Sequence, residues 1–75
     1  MYVLTDVYGK NVICNAVYSD LEDAKADLDA EFYSFTVDDN DIEYGTNCLQ
    51  ADDGMSAWAK LDGKYRIWNI TQVSE

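Results

Sequence analysis

The side chains of this sequence that could take part in chemistry are mostly carboxylates. The 75 residues contain fifteen Asp and Glu, five Lys and Arg, and no histidine. Paired carboxylates can act as general acid and base in glycoside cleavage, but that reaction needs a cleft for the sugar, and so short a chain has little room for one. Nucleophilic catalysis by serine or cysteine usually relies on a histidine base, which is missing. The sequence therefore predicts a protein that is not an enzyme.

Metal and phosphate sites are also not expected. The segment from Asp39 to Glu43 places carboxylates at alternate positions, as a calcium-binding loop does. Tyr44 then stands where the sharp turn of such a loop needs glycine, and no glutamate closes it. A solvated acidic loop is the preferred interpretation, with a weak divalent-ion site as the alternative. None of the four glycines belongs to a phosphate-binding pattern, so we expect no metal and no cofactor.

The carboxylates are concentrated in one part of the chain. Twelve of the fifteen lie between Asp20 and Asp53, where Lys25 is the only base, so this segment carries a net charge of −11. Acidic residues placed this unevenly predict an electrostatic face, and such a face fits a basic surface of the kind that binds nucleic acid. The same charge argues against direct binding of DNA or RNA by this chain.

The predicted contact surface lies on one helix and the loop after it. Helix side chains three or four residues apart are about 5–6 Å from one another, so Asp20, Asp23, Asp27 and Glu31 form a row of negative charge. Its charge density is broadly similar to that of DNA phosphates, which repeat every ~3.4 Å of axis along each strand. An amphipathic helix that merely exposes its acids to water is the alternative. The candidate partner-binding residues are Asp20, Glu22, Asp23, Asp27, Asp29, Glu31, Asp38, Asp39, Asp41 and Glu43.

The helix that carries this row is predicted from its own sequence. Ser19 can cap it, Glu22 completes a capping box, and the acids of the first turn suit the positive end of the helix dipole. Apolar residues at helical spacing form one stripe that would lie on a sheet. The stripe consists of Leu21, Ala24, Leu28, Phe32 and Phe35. After Phe35 the periodicity ends, and the run from Thr36 to Asp41 predicts a loop.

Strands are predicted on both sides of the helix. Residues 2–7 and 12–18 form a hairpin. A short strand around residues 42–44 follows the helix, Gly45 interrupts it, and residues 46–51 can continue as another strand. The Asp62–Gly63 turn joins the strands of a second hairpin over residues 55–73, whose register places Trp58 and Trp68 on opposite faces. We therefore expect a single α+β domain over residues 1–75. Its antiparallel sheet would have four to five strands with one amphipathic helix packed across it, in the order β-β-α-β-β-β.

The compartment is predicted from the first residues and the two cysteines. Met1 to Asp6 contain no basic leader, and no apolar stretch is long enough for a signal peptide or a membrane span. We expect a cytoplasmic protein with no membrane partner. Cys14 and Cys48 are then expected to be reduced, partly buried thiols, with a disulfide as the alternative.

The overall character of the chain carries a resemblance, without an alignable motif: short length, strong acidity, one acidic amphipathic helix, an antiparallel sheet and no catalytic set. The chain resembles the small acidic proteins of phages and mobile elements that mimic DNA or block a host defence nuclease, the anti-CRISPR proteins among them. This resemblance implies a stoichiometric inhibitor. Such a protein would occupy the nucleic-acid-binding or PAM-reading cleft of a basic host protein, for example a CRISPR-Cas effector.

Two other functions remain alternatives. One is an interaction module, such as an immunity protein, an antitoxin or an adaptor, whose sheet aromatics carry the binding energy. Those aromatics are Tyr2, Tyr8, Tyr44, Trp58, Tyr65 and Trp68. The other is a small-ligand sponge at a homo-oligomer interface, where exposed aromatic side chains stack on a ring.

Added salt should stabilise the protein. A net charge of −10 on 75 residues repels itself in the folded state, and salt screens this repulsion. We expect the Tm in scanning calorimetry to rise when NaCl is increased from ~20 mM to ~500 mM. A Tm that does not change with salt would argue against a dense acidic face.

Overall fold

The computed structural model of the protein describes residues 1–37 and 42–73, apart from the side chain of Cys14. Within these residues, one helix and five strands follow one another in the order β-β-α-β-β-β. The strands are β1 (Tyr2–Tyr8), β2 (Asn11–Tyr18), β3 (Cys48–Gln50), β4 (Ser56–Leu61) and β5 (Lys64–Gln72), and the helix is α1 (Leu21–Val37). The predicted α+β fold, with one helix on an antiparallel sheet, is confirmed.

The strands of the described chain form one sheet in the order β2-β1-β5-β4-β3, and every neighbouring pair is antiparallel. The two hairpins, β1–β2 and β4–β5, meet where β1 pairs with β5 along its whole length, from Tyr2 opposite Gln72 to Tyr8 opposite Arg66. The chain leaves the sheet at the β2 edge and returns to it at the β3 edge. Helix α1 therefore crosses the sheet from one edge strand towards the other.

The β4–β5 hairpin forms as its sequence predicts. Asp62 and Gly63 have φ values of 54° and 78°, the left-handed conformation that both central residues of a type I′ turn require. In the resulting register Trp58 lies directly opposite Ile67. Trp68, the next residue along β5, is on the other face and is fully buried beneath α1. The prediction that the tryptophans lie on opposite faces is confirmed.

The helix begins with a different cap from the predicted one. The amide of Glu22 donates a hydrogen bond of 2.9 Å to Oδ1 of Asp20, and the amide of Ala24 donates to the Asp20 carbonyl at 3.3 Å. Asp20 is therefore the N-cap residue, and its charge also suits the helix dipole. The capping box predicted between Ser19 and Glu22 is wrong, because Glu22 is the second helical residue after this cap and not the third.

The helix also ends later than predicted. It runs to Val37, and the hydroxyl of Thr36 donates a hydrogen bond of 2.9 Å to the carbonyl of Phe32 one turn earlier. This bond satisfies the threonine side chain within the helix. The loop prediction is therefore wrong for Thr36 and Val37, and its remaining positions, 38–41, lie outside the described residues.

The core lies between α1 and one face of the sheet. Ala24, Leu28 and Phe32 are the buried residues of the helix, as the predicted stripe requires. Trp68 of β5 lies beneath them, and the centre of its ring is 5.5 Å from that of Phe32 and 5.8 Å from that of Phe35, both in edge-to-face geometry. Aromatic pairs of this geometry add to the stabilisation from burial alone.

An ion pair is built into this core. Asp6 of β1 is fully buried, and Arg66 of β5 donates to its two carboxylate oxygens from Nε at 2.9 Å and from Nη2 at 2.5 Å. The guanidinium carbon lies 4.8 Å from the ring centre of Phe35 and 4.9 Å from that of Trp68. The hydrogen bond to Asp6 raises the pKa of Arg66, despite the opposing effect of burial. The pair ties the two central strands to the aromatic core under the helix.

The short strand predicted around residues 42–44 is not formed. Of these three residues, Tyr44 alone makes a bridge, to Cys48. The side-chain oxygen of Asn47 accepts a hydrogen bond of 3.2 Å from the amide of Glu43, and the Asn47 amide donates to the Glu43 carbonyl at 2.8 Å. These bonds close a turn, so the chain becomes extended only at Cys48.

The cysteine prediction is confirmed for one of the two residues. Cys48 is a buried, free thiol, and burial raises its pKa above the ordinary value. The side chain of Cys14 is outside the described part of the chain. Within residues 1–37 and 42–73, no helix has the length and apolar character needed to span a membrane.

Replacing Arg66 by methionine should lower the free energy of unfolding by about 3–5 kcal/mol, because the Asp6 carboxylate would stay buried without its cation. The double variant Asp6→Leu/Arg66→Met removes both charges and should recover most of this loss. Urea denaturation followed by circular dichroism measures both free energies. A single variant as stable as the parent protein would show that the pair does not hold β1 and β5 together.

Candidate functional site

The predicted acidic row follows the flank of α1 that faces β1 and β2. Asp20, Asp23, Asp27 and Glu31 succeed one another in steps of three and four residues, which places them along one side of the helix. Asp20 and Asp23 are exposed, whereas Asp27 and Glu31 are half-buried. The row therefore exists as a line of residues, but its second half lies at the junction of helix and sheet.

The two half-buried carboxylates contact the sheet. The hydroxyl of Tyr18 in β2 donates a hydrogen bond to Oδ2 of Asp27. Burial raises the pKa of Glu31, and the charges of Asp27 and Asp6 raise it further, while Arg66 opposes them. One oxygen of Glu31, Oε2, is buried and has no hydrogen-bond partner among the described residues. A partner protein would meet only the edges of these two side chains.

A second acidic flank faces β3. Glu22 and Asp29 are exposed on this side of the helix, and Nε2 of Gln50 donates a hydrogen bond of 3.0 Å to Oδ1 of Asp29. Lys25 lies between them in sequence, and its aliphatic chain runs beside Gly54 in the β3–β4 connection. The two flanks together show that the carboxylates of α1 do not form one continuous row.

The outermost side of α1, between the two flanks, is apolar. We call it the outer strip, and it consists of Ala26, Ala30, Tyr33 and Val37, spaced four, three and four residues apart. All four are exposed, and Tyr33 and Val37 retain 65% and 49% of their accessible surface. The sequence reasoning missed this strip, although its helical spacing was the signal that could have shown it. An apolar centre with an acidic rim is the arrangement of a protein interface.

The remaining candidate residues are divided between described and undescribed positions. Asp38, Asp39 and Asp41, and with them most of the calcium-like loop, lie outside the described residues. Glu43 is exposed in the turn before β3. Two further exposed acids, Asp52 and Asp53, lie in the β3–β4 connection and were not among the predicted contacts. No group of three or more His, Cys, Asp or Glu in the described ranges could hold a metal ion.

In the part of the chain that the structure describes, almost none of these charges is neutralised by an ion pair. The ion pair between Asp6 and Arg66 is the one found among residues 1–37 and 42–73. Lys25, the only base among the acids, makes no ion pair with any residue in those ranges. The exposed carboxylates of the helix are thus free to interact with cations from outside.

The acids are confined to the helix side and the connections of the described chain. Asp6 is the one carboxylate in the five strands, and it is buried on the helix side. A concavity of about 580 Å³ between the two hairpin turns is lined in part by Ile13, Tyr65 and the lysines Lys10 and Lys64, and no carboxylate lines it. The two faces of the protein therefore differ in charge.

Comparisons with known proteins do not identify a related protein. No protein-family model matches the sequence, and neither a curated protein nor a solved structure matches it. The resemblance to small acidic inhibitors therefore stays a prediction, and the function has to be inferred from the surface itself.

Neutralising Glu31 should stabilise the protein at neutral pH. The pKa of Glu31 in the folded protein lies above its ordinary value of 4.5. The folded state therefore binds the Glu31 proton more tightly than the unfolded state does. The stabilisation from this proton is fully present below pH 4.5 and is lost as the pH rises through the pKa of the folded protein. Glu31→Gln retains the shape of the side chain and removes this loss. Urea denaturation at a series of pH values from 4.5 upward measures the effect.

Glu43→Gln is the matched control for this variant. Glu43 is an exposed glutamate, and its substitution changes the net charge by the same amount. The control should keep the pH profile of the parent protein over the range in which Glu31→Gln departs from it. Equal responses of the two variants would mean that general charge repulsion, and not the burial of Glu31, sets the pH dependence.

Proposed function

We propose that the protein is a non-enzymatic binding protein whose acidic helix layer docks on a basic, nucleic-acid-binding protein and blocks it stoichiometrically. The docking surface comprises the exposed part of the two acidic flanks and the outer strip between them. The observation that carries this proposal is the lack of internal neutralisation: Asp6 is the one carboxylate that forms an ion pair among the described residues.

The charge distribution favours a basic partner. Lysines at helical spacing among these acids would have stabilised α1 through pairs three and four residues apart, yet Lys25 is the only one between Asp20 and Asp53. Like charges on such a surface repel one another in the folded protein. Binding to a cationic surface relieves this repulsion and is therefore favourable. Nucleic-acid-binding grooves present such a surface, because they hold phosphates with lysine and arginine side chains.

The outer strip favours a protein over a simple polycation as the partner. Tyr33 is the most exposed of its large side chains, at 65%, and tyrosine is among the residues that contribute most binding energy at interfaces. The exposed acids Asp23 and Asp29 lie on either side of the strip. Apolar contact at the centre would supply affinity, and charge at the rim would supply orientation and a fast association rate.

Competition with nucleic acid is the proposed mode of inhibition. A groove that accepts the acids of α1 through its phosphate-binding side chains cannot bind a nucleic acid at the same place. A CRISPR-Cas effector or another defence nuclease of a host cell would be a partner of this chemistry, as for the anti-CRISPR proteins that the sequence resembles. The proposal requires no catalytic group and no cofactor of the chain.

Reversing the charge on both sides of the outer strip should abolish partner binding. The variant Asp23→Lys/Asp29→Lys changes two exposed side chains and leaves the core untouched. Immobilised parent protein should retain basic nucleic-acid-binding proteins from a host lysate at ~50 mM salt, lose them by ~200 mM salt, and release them when excess duplex DNA is added. The variant should retain none of them.

The charge-conserving variant Asp23→Glu/Asp29→Glu is the matched control, since it alters the same positions and keeps both negative charges. It should bind as the parent protein does, and circular dichroism should show all three proteins to be folded. Retention of the same proteins by the reversed variant, or captured proteins that DNA does not displace, would contradict the proposal.

A further inference from the structure

No described element covers the sheet face opposite α1, and this face carries an apolar row across all five strands. Val7 of β1 pairs with Val12 of β2 on one side and with Ile67 of β5 on the other. Ile67 in turn pairs with Trp58 of β4, which pairs with Leu49 of β3. Residues directly opposite each other in an antiparallel sheet share a face. The row therefore runs without interruption from one sheet edge to the other.

The side chains of this face are exposed to an unusual degree for their type. Val12, Ile67 and Leu49 retain 65%, 48% and 44% of their accessible surface. Val17 and Ile13 of β2 are also exposed, at 60% and 53%. Single exposed hydrophobic residues are normal, but a contiguous apolar patch on a soluble protein marks an interaction site.

Aromatic side chains extend the patch towards the β4–β5 turn. Trp58 lies against Tyr65, with 5.9 Å between the ring centres, and Nζ of Lys60 lies 5.4 Å from the centre of the Tyr65 ring. Lys60 is the one charged side chain that projects from the middle of the strands on this face. Its position beside Tyr65 places the charge near the end of the patch, so the apolar row can be covered without burying a charge.

We infer that a second copy of this chain covers the open sheet face, so that two sheets pack face to face with the helices outside. The same apolar row on both copies is complementary to itself, as a two-fold interface requires. The protein measures 41 × 24 × 16 Å, so its broad side has room for the roughly 800 Å² per partner that a standard stable interface buries. Sheets packed in this way lie about 10 Å apart.

The lack of charged side chains in the apolar row also favours a second copy over a basic partner. No carboxylate projects from the strands on this face, so a basic partner would find no counter-charge there. Most side chains of the row are aliphatic and cannot stack on the bases of a single-stranded nucleic acid, which would need a line of aromatic rings. In the paired arrangement the two acidic helix layers are separated by both sheets, a distance of several Debye lengths at physiological salt, where the length is about 8 Å.

The inference is independent of the proposed function, because it concerns the other face and is measured without any partner. Sedimentation equilibrium between ~1 μM and ~500 μM should show a mass rising towards twice the 8.5 kDa of the chain, as mass action requires. The Tm should rise with protein concentration over the same range. A monomer at every concentration would overturn the inference.

Ile67→Lys and Tyr33→Lys form a matched pair of variants. Each replaces one exposed hydrophobic side chain by lysine, on the open sheet face and on the outer strip respectively. Ile67→Lys should weaken self-association at least a hundredfold, and Tyr33→Lys should leave it unchanged. The milder Ile67→Thr, in which a β-branched residue is retained, should weaken it in the same direction if Ile67→Lys does not fold.

Two results would point to a different dimer contact or to a different molecule on the open sheet face. Self-association lost in Tyr33→Lys and retained in Ile67→Lys would place the dimer contact on the helix and overturn the inference. A monomeric protein that binds a single-stranded oligonucleotide, and loses it in Ile67→Lys, would replace the second copy by nucleic acid as the occupant. Failure of the charge-reversal experiment on Asp23 and Asp29 affects neither readout.

Discussion

Helix α1 covers one face of the sheet, and it is the one helix that packs on the sheet within residues 1–37 and 42–73. At about 1.5 Å per residue, 17 residues extend far enough to cross five strands that lie about 4.8 Å apart. The buried side chains Leu28 and Phe32 meet Trp68 on that face, and the Asp6–Arg66 pair lies beside them. All fully buried side chains of the described chain lie between the helix and this face of the sheet. The core is therefore one-sided: it lies on one face of the sheet only. The opposite face of the sheet stays in water unless another molecule covers it.

The one-sided core explains why the two surfaces of the protein differ so sharply. Helix positions that do not face the core carry the acids and the outer strip, whereas strand positions that do not face the core carry Val12, Ile67 and Trp58. Asp6, the one carboxylate of the described strands, is neutralised by its ion pair with Arg66. An acidic layer therefore lies on one side, and an apolar layer whose strands carry no exposed carboxylate lies on the other. Partner binding and self-association use different layers in our account, and a dimer would present two acidic layers facing away from each other.

Much of this arrangement could be predicted from the sequence, because short-range signals decide it. The Asp62–Gly63 turn determines the register of its hairpin and thereby the opposite faces of the two tryptophans. The helical stripe ending at Phe35 identifies the core face of α1. The cap was misplaced because Ser19 and Asp20 are both good N-cap residues, and only the hydrogen bond to Glu22 distinguishes them. The half-burial of Asp27 and Glu31 could not be predicted, since it arises where the helix meets strands distant in sequence. There Asp27 accepts a hydrogen bond from Tyr18, and Asp6 and Arg66 affect the pKa of Glu31.

The most direct test of the account is a measurement of the two surface potentials by NMR with paramagnetic probes of opposite charge. Ala26 and Ala30 present exposed methyl groups on the helix layer, and Val12 and Ile67 present them on the open sheet face. A cationic probe should relax the alanine methyls more strongly than an anionic probe of the same size. The ratio of cationic to anionic relaxation enhancement should be well above the ratio at Val12 and Ile67. Added salt should bring the two ratios closer together. Equal ratios on the two faces would contradict the separation of charge on which both inferred interactions depend.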